Sequence, residues 1–258
     1  MSVARRVAVL AGLPIALLAV WWVASANSTS YYLPPLSKIL STFDDVWFSS
    51  RFADDVVPSL LRLLGGFTVA LVLGVALGIL VGSSRAVRAF CEPVLEFLRA
   101  VPPPVLVPVL MLFAGIGDTM KVLVIVSGCV WPILLNTVEG VRAVDEVLTQ
   151  TCECYRIGGR ARLTTLVLRS ASPQIMAGVR QALPIGIILM VISEMFAASN
   201  GLGFTIIQFQ RTFNVTEMWT GILLLGILGF LLSLVVRIVD RRVLRWYHGQ
   251  RRSQPGVR

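Results

Sequence analysis

The chain has 258 residues, a formal net charge of +9, 56% hydrophobic and 14% charged residues, and a mean hydropathy of +0.80. A water-soluble domain holds about 45–50% apolar and about 25% charged residues, so this composition excludes an ordinary soluble core and points to a membrane protein. Such hydrophobicity also excludes disorder, and four cysteines (Cys91, Cys129, Cys152 and Cys154) in this length are not a disulfide framework.

A spanning helix needs roughly 20 apolar residues. Uncharged runs over 7–37, 63–84, 100–117, 122–138, 181–193 and 218–236 predict six such helices. The fifth reaches spanning length only if it starts near Gln174 and accepts Arg180. The first follows Arg5 and Arg6, and its Trp21-Trp22 pair suits an interfacial belt. It reads as a retained helix, although Ala24-Ser25-Ala26 resembles a signal-peptide cleavage site.

The segment over 27–57 carries Asp44, Asp45, Asp54 and Asp55. Its apolar residues Ile39, Leu40, Phe43, Val46 and Trp47 recur at helical spacing. They predict either a helix on the membrane surface or a polar loop with one short helix. The second span has a small residue at every fourth position along Gly66, Ala70, Gly74, Gly78 and Gly82, which lets another helix approach closely. The third opens with Pro102-Pro103-Pro104 and adds Pro108, which predicts a bent or interrupted entry.

Between the fourth and fifth spans, the segment over 139–173 reads as two short helices. One runs from Asp145, a plausible N-cap, to about Tyr155, and the other from Arg160 to about Ser170. Gly158-Gly159 is the joint. Alternating six spans from a cytoplasmic N-terminus leaves only Lys38, Arg51, Arg62, Lys121 and Arg211 outside, among 23 lysines and arginines. That distribution satisfies the positive-inside rule, with both termini cytoplasmic. The basic tail over 237–258 then reads as a membrane-surface anchor, with no nucleic acid as partner.

Several chemistries are missing. The one histidine is His248, which argues against zinc-protease and triad catalysis. Lys38 and Lys121 follow Ser37 and Met120, so neither belongs to a Gly-Lys-Ser/Thr phosphate loop, and ATP-driven work must come from another polypeptide. Cys152 and Cys154 have no partner pair at zinc spacing, so no metal site is predicted. Within the membrane, an ionisable group is a functional candidate by default. Arg180 and Glu194 lie fourteen residues apart on the fifth span, about 21 Å along a helix, and cannot pair with each other. Glu194 is expected to make a structural hydrogen bond or to contact a solute, and Asn136 is a similar case. A single convincing intramembrane acid and no visible repeat argue against a secondary carrier. The lone histidine and lack of paired intramembrane carboxylates argue against a membrane enzyme.

The sequence resembles the integral membrane permease subunit of bacterial binding-protein-dependent ABC importers. Within that group it is most similar to sulfonate, taurine, nitrate and pyrimidine-precursor permeases. The resemblance runs from Leu33-Pro34-Pro35 to the sixth span. It is densest in Ser59-Leu60-Leu61-Arg62, in Phe97-Leu98-Arg99-Ala100-Val101-Pro102-Pro103, in Phe113-Ala114-Gly115-Ile116-Gly117 and in Pro132-Ile133-Leu134-Leu135-Asn136-Thr137. It continues through Gly140-Val141-Arg142-Ala143-Val144-Asp145, Ser170-Ala171-Ser172-Pro173, Ala177-Gly178-Val179-Arg180, Glu194-Met195 and Gly201-Leu202-Gly203.

The resemblance implies an all-α polytopic membrane protein of the type I ABC importer permease kind. It implies one permease domain over 1–258: a first span (1–26), an external segment (27–57), spans two to four (58–138), a cytoplasmic coupling loop (139–173), spans five and six (174–236) and the tail (237–258). The family's loop signature is a Glu-Ala-Ala triplet with a glycine four residues after it. Gapless matching sets Gln150-Thr151-Cys152 on the triplet and Arg156 on the glycine; a gapped register would use Glu153 and Gly159. The implied coupling residues are therefore Gln150, Thr151, Cys152, Glu153, Cys154, Tyr155, Arg156, Gly158 and Gly159. The implied pathway or gate residues are Asn136, Glu194, Gly201 and Gly203. The implied partners are an ATP-binding subunit dimer, an external solute-binding protein, a second permease subunit and the lipid bilayer. ATP and magnesium would be bound by the ATPase, with no cofactor in this chain. The implied location is the bacterial cytoplasmic membrane, and the implied cargo is a small anionic or heterocyclic solute.

Overall fold

The computed structural model describes residues 3–196, 198–247 and 249. Regular structure among the described residues is entirely helical. The helices are α1 (Val3–Ser25), α2 (Leu36–Trp47), α3 (Val57–Ser83), α4 (Arg85–Ala100), α5 (Leu106–Ala114), α6 (Asp118–Arg142), α7 (Glu146–Cys154), α8 (Gly159–Arg162), α9 (Leu168–Phe196), α10 (Leu202–Arg211) and α11 (Val215–Val243). His248, Arg251, Arg252 and Arg258, on which the tail reading rests, lie outside the described residues.

The chain divides into two compact units. One combines the residues up to Pro58 with Ser199–Gly226; the other combines Ser59–Ala198 with the residues from Ile227 onward. In the first unit, Leu36, Ile39 and Trp47 of α2 are buried, and the Trp47 indole Nε1 donates to Thr220 Oγ1 at 2.9 Å. Part of the apolar stripe of α2 thus packs on protein, at Ile39 and Trp47, while Leu40 stays exposed. The Leu36 N–H donates to Ser25 Oγ at 3.1 Å, tying the start of α2 to the end of α1.

Four helical runs are long and apolar enough to cross a membrane: Phe52–Ser83, Asp118–Arg142, Gly159–Phe196 and Val215–Val243. The predicted third span over 100–117 is not one helix. α4 and the run Pro103–Ala114 are bent by 73° at a break after Ala100, and α5 itself has only nine residues. Pro102, Pro103 and Pro104 withhold three backbone donors there, so the chain makes a single short turn before α5 begins. The predicted second loop helix is not separate either. Residues from Gly159 run through a π-helical turn (Leu163–Val167) directly into α9.

Packing in the second unit fixes how its helices run. The small residues of α3 meet α6 in register: a Cβ added to Gly66 would touch Ile125, one on Gly74 would touch Ile133, one on Gly78 would touch Thr137, and one on Gly82 would touch Val141. A constant sequence offset means the two helices are parallel, so the partner of the stripe is in this chain. Two parallel spans require a return crossing between them, which the broken α4–α5 pair supplies. α6 and α9 are antiparallel: Gly140 lies against Ala171, and Gly178 against Pro132 and Ile133. α11 is antiparallel to α9, with Gly229 near Ile187 and Asp240 pairing with Arg180 at 2.5 Å. The pair that Arg180 could not make with Glu194 it makes with another helix.

Candidate functional site

Three spans of the second unit meet at a charged cluster beside the last turn of α9. Glu194 is fully buried. It accepts from Ser59 Oγ at 2.7 and 2.9 Å and from Arg62 Nη1 at 2.8 Å. Arg62 Nε also donates to Asp118 Oδ1 at 2.8 Å, and Lys121 Nζ reaches the same oxygen at 3.4 Å. Arg62 and Lys121 are each about 5% exposed. Two cations against two anions keep the cluster neutral, and each buried charge has a partner, which a low-dielectric interior demands. It binds the starts of α3 and α6 to the end of α9. Glu194 therefore makes the structural hydrogen bonds expected of it.

A second polar region lies toward the opposite end of α6. Leu95 packs on the cluster of Leu134 and Val138, while Pro103 approaches Gly128. α4 thus runs antiparallel to α6 and reaches its middle. Glu96, Arg99, Trp131, Asn136 and Gln181 line an open groove there. Asn136 Nδ2 donates to Pro132 O at 2.7 Å and to Gln181 Oε1 at 3.2 Å. Arg99 Nη2 meets Glu96 Oε1 at 3.3 Å, and both side chains are about half exposed.

The loop after α6 has simple local causes. Asp145 Oδ1 accepts from the Val147 and Leu148 N–H groups at 2.8 and 3.2 Å, the N-cap that starts α7. At the other end, Ile157 N donates to Cys152 O and Arg156 N to Glu153 O, the paired bonds of a Schellman turn. That turn needs a left-handed residue, and Arg156 supplies it at φ +50°. Gln150, Thr151, Glu153, Cys154, Tyr155, Gly158 and Gly159 are exposed, Tyr155 at 79%, and Cys152 alone is buried. Arg162 Nη1 pairs with Glu153 Oε1 at 3.1 Å. In the first unit, Gly201 (φ +117°) donates its N–H to Asp55 Oδ1 at 2.9 Å, and Gly203 is buried in the first turn of α10.

The structure therefore separates the predicted residues into a loop, a groove and a buried cluster, with Gly201 and Gly203 in the other unit. Sequence reading missed Ser59, Arg62, Asp118 and Lys121 as partners of Glu194. A usable signal existed: alternating the spans sets Arg62, Lys121 and Glu194 on one membrane side, each beside a span. It also did not single out Glu96 and Arg99, which line the groove with Asn136.

Antiparallel and parallel spans joined by an ion cluster, with a broken return and a capped loop helix, define a polytopic helical membrane protein. Residues 70–245 match the family described as "binding-protein-dependent transport system inner membrane component". The taurine transport system permease protein TauC of Escherichia coli is 32% identical over 95% of this chain and 92% of its own length. The putative aliphatic sulfonates transport permease protein SsuC of Bacillus subtilis is 28% identical over 91% and 86%. The bicarbonate transport system permease protein CmpB of Synechococcus elongatus is 28% identical over 92% and 88%. Among solved structures, the MetNI methionine ABC transporter in inward-facing conformations gives a TM-score of 0.56 at 18% identity, over 72% of this chain and 91% of that one. An amino acid ABC transporter solved with histidines gives 0.54 at 13%, over 80% and 96%. The chain belongs to this family and is a permease subunit of an ABC importer, the membrane-embedded component rather than the one that hydrolyses ATP. Components of the family work with a binding protein and an ATPase.

Proposed function

We propose that this chain forms, with a second permease copy, the translocation path for a small anionic solute across the bacterial cytoplasmic membrane, and itself catalyses no reaction. The named relatives handle sulfonates, taurine and bicarbonate, all of which carry an anionic group. The end of the second unit that bears the α6–α7 loop is assigned to the cytoplasm, because arginines crowd there and are sparse at the other end.

One observation carries the mechanism: α7 is capped at both ends, holds Val147, Leu148 and Tyr155 exposed, and leads within a few residues into the helix whose last turn holds Glu194. We assign α7 as the element that enters a cleft of the ATPase dimer. ATP drives transport only if its binding favours one permease state over another, and an exposed apolar anchor on a stiff helix is a means of transferring that preference. Arg156 occupies a backbone position that glycine fills most easily, which favours the register that aligns it with the family's glycine. The segment from Gly201 to Trp219 would meet the binding protein or form a re-entrant gate.

The test is the complete transporter in proteoliposomes. Tyr155→Asp should leave membrane insertion and subunit assembly intact while ATP hydrolysis no longer drives uptake. Wild-type uptake in that variant would remove α7 from the mechanism. Purification in mild detergent should also bring down an ATPase and a second permease chain, and a monomer without companions would contradict the assembly.

A further inference from the structure

We propose that the groove between α4, α6 and α9 is the cytoplasmic half of the solute path, with Arg99 as the oxyanion contact and Glu96 as the resting partner that the oxyanion displaces. The inference rests on the permease reading above and adds the residues and the chemistry of the passage.

Depth is the first argument. Trp131 and Asn136 lie eleven and six residues before the end of α6 at Arg142, so roughly 16 and 9 Å inside that end. Arg99 and Glu96 share the groove with them, beside the uncharged run of α6 that ends just before Glu139. Ionised groups facing lipid there would be costly, and such residues line water-filled passages or bundle interiors. Their exposure, about half for Arg99 and more for Glu96, shows that this chain does not bury them.

Donor chemistry is the second. A backbone carbonyl only accepts, so the bond to Pro132 O fixes which end of the Asn136 amide is nitrogen. That nitrogen also donates to Gln181 Oε1, which leaves the Gln181 Nε2 hydrogens for another acceptor. The groove thus offers an amide and a guanidinium fork, a pairing suited to a sulfonate or carboxylate. The Arg99–Glu96 contact of 3.3 Å is longer than the roughly 2.7–2.9 Å of a strong charge-assisted bond, as an exchangeable partner requires. Further toward the loop end, Arg88 lines an adjoining cavity that shares Glu96, Arg99 and Leu135 with the groove. Its Nη1 is buried with no hydrogen-bond partner among the described residues, a second donor along the same track.

The experiment uses the whole transporter in inverted membrane vesicles, with Leu135→Cys as reporter and Cys91, Cys152 and Cys154 changed to Ser. The probes are two methanethiosulfonates of similar size, one bearing an ethylsulfonate and the other an ethyltrimethylammonium. Both should label Leu135→Cys, and trapping with ATP and vanadate should slow labelling. Removing one charge a few ångströms away should change the anion-to-cation rate ratio by about tenfold, downward for Arg99→Gln and upward for Glu96→Gln, and Arg99→Lys should restore it. Ala100→Cys provides a second reporter if Leu135→Cys fails to assemble. Absence of labelling at both positions would show a dry groove. A ratio indifferent to Arg99→Gln would remove the oxyanion contact. Rates identical in trapped and free states would show a static crevice or lipid site. Each of these overturns the inference while ATP-dependent uptake persists; loss of ATP dependence in the wild type would instead strike the parent reading.

Discussion

Two groups of ionised side chains in the same helical unit are held in opposite ways. Around Glu194, both cations and Glu194 itself are buried while Asp118 reaches the surface, the contacts are 2.8 Å where they are shortest between full charges, and the members come from three different spans. Along α4, Glu96 and Arg99 are neighbours on one helix, half exposed, and 3.3 Å apart. The first group is dehydrated at Glu194, Arg62 and Lys121 and joins helices. The second keeps access to solvent, and the pair joins nothing to anything else. Charge within a membrane protein is thus tolerated in two ways, by mutual neutralisation or by retained water, and exposure with partner geometry separates the two.

The sharpest test of this contrast is Glu194→Ala. It removes the buried partner of Arg62, leaving it only the exposed Asp118, and should cost about 3 kcal/mol, read as a large fall in the melting temperature of the detergent-solubilised complex. A shift no larger than that of a surface variant would dissolve the distinction. Gly78→Val asks whether helix contact, as well as charge, holds this unit. A Cβ there meets the Thr137 Cβ at 2.5 Å, and overpacking should cost about 1–3 kcal/mol in the same measurement. Away from both groups, Arg156→Gly should stabilise by about 1 kcal/mol, because glycine adopts the left-handed conformation freely; protection of the α7 amides from hydrogen exchange should rise. Glu96→Ala should be smallest, about 0.3–0.5 kcal/mol, since an exposed pair within one helix stabilises little. A drop comparable to that of Glu194→Ala would mean the α4 pair is a structural weld after all.

Legibility in the sequence follows the range of the interaction. The cap at Asp145, the small-residue stripe of α3 and the interruption at Pro102 are local patterns, and each is readable from a few consecutive residues. Whether the stripe met this chain or another was not readable, because nothing in Gly66 to Gly82 names Ile125 or Val141. The same holds for Arg62 and Glu194, which lie on helices far apart in sequence. α4 was not read as an element for a different reason. Its mixture of Arg85, Arg88, Glu92, Glu96 and Arg99 breaks up the apolar run by which spans are found, although the segment is helical from Arg85 to Ala100. The end of the second loop helix was missed because Arg169 and Pro173 look like breaks. A helix tolerates proline when neighbouring segments satisfy the freed carbonyls, and here the run continues through both.

The run from Gly159 to Phe196 has 38 residues, so roughly 57 Å of nearly unbroken rod. It is seated on α6 at several points: Ala171 lies against Gly140, Gly178 against Pro132 and Ile133, and Leu189 against Gly128. Those seats span eighteen residues, roughly 27 Å. A rod fastened at several points cannot pivot on one of them, so α6 and α9 form a single beam. A sideways push beside α7 would reach Glu194 as a movement of that whole beam.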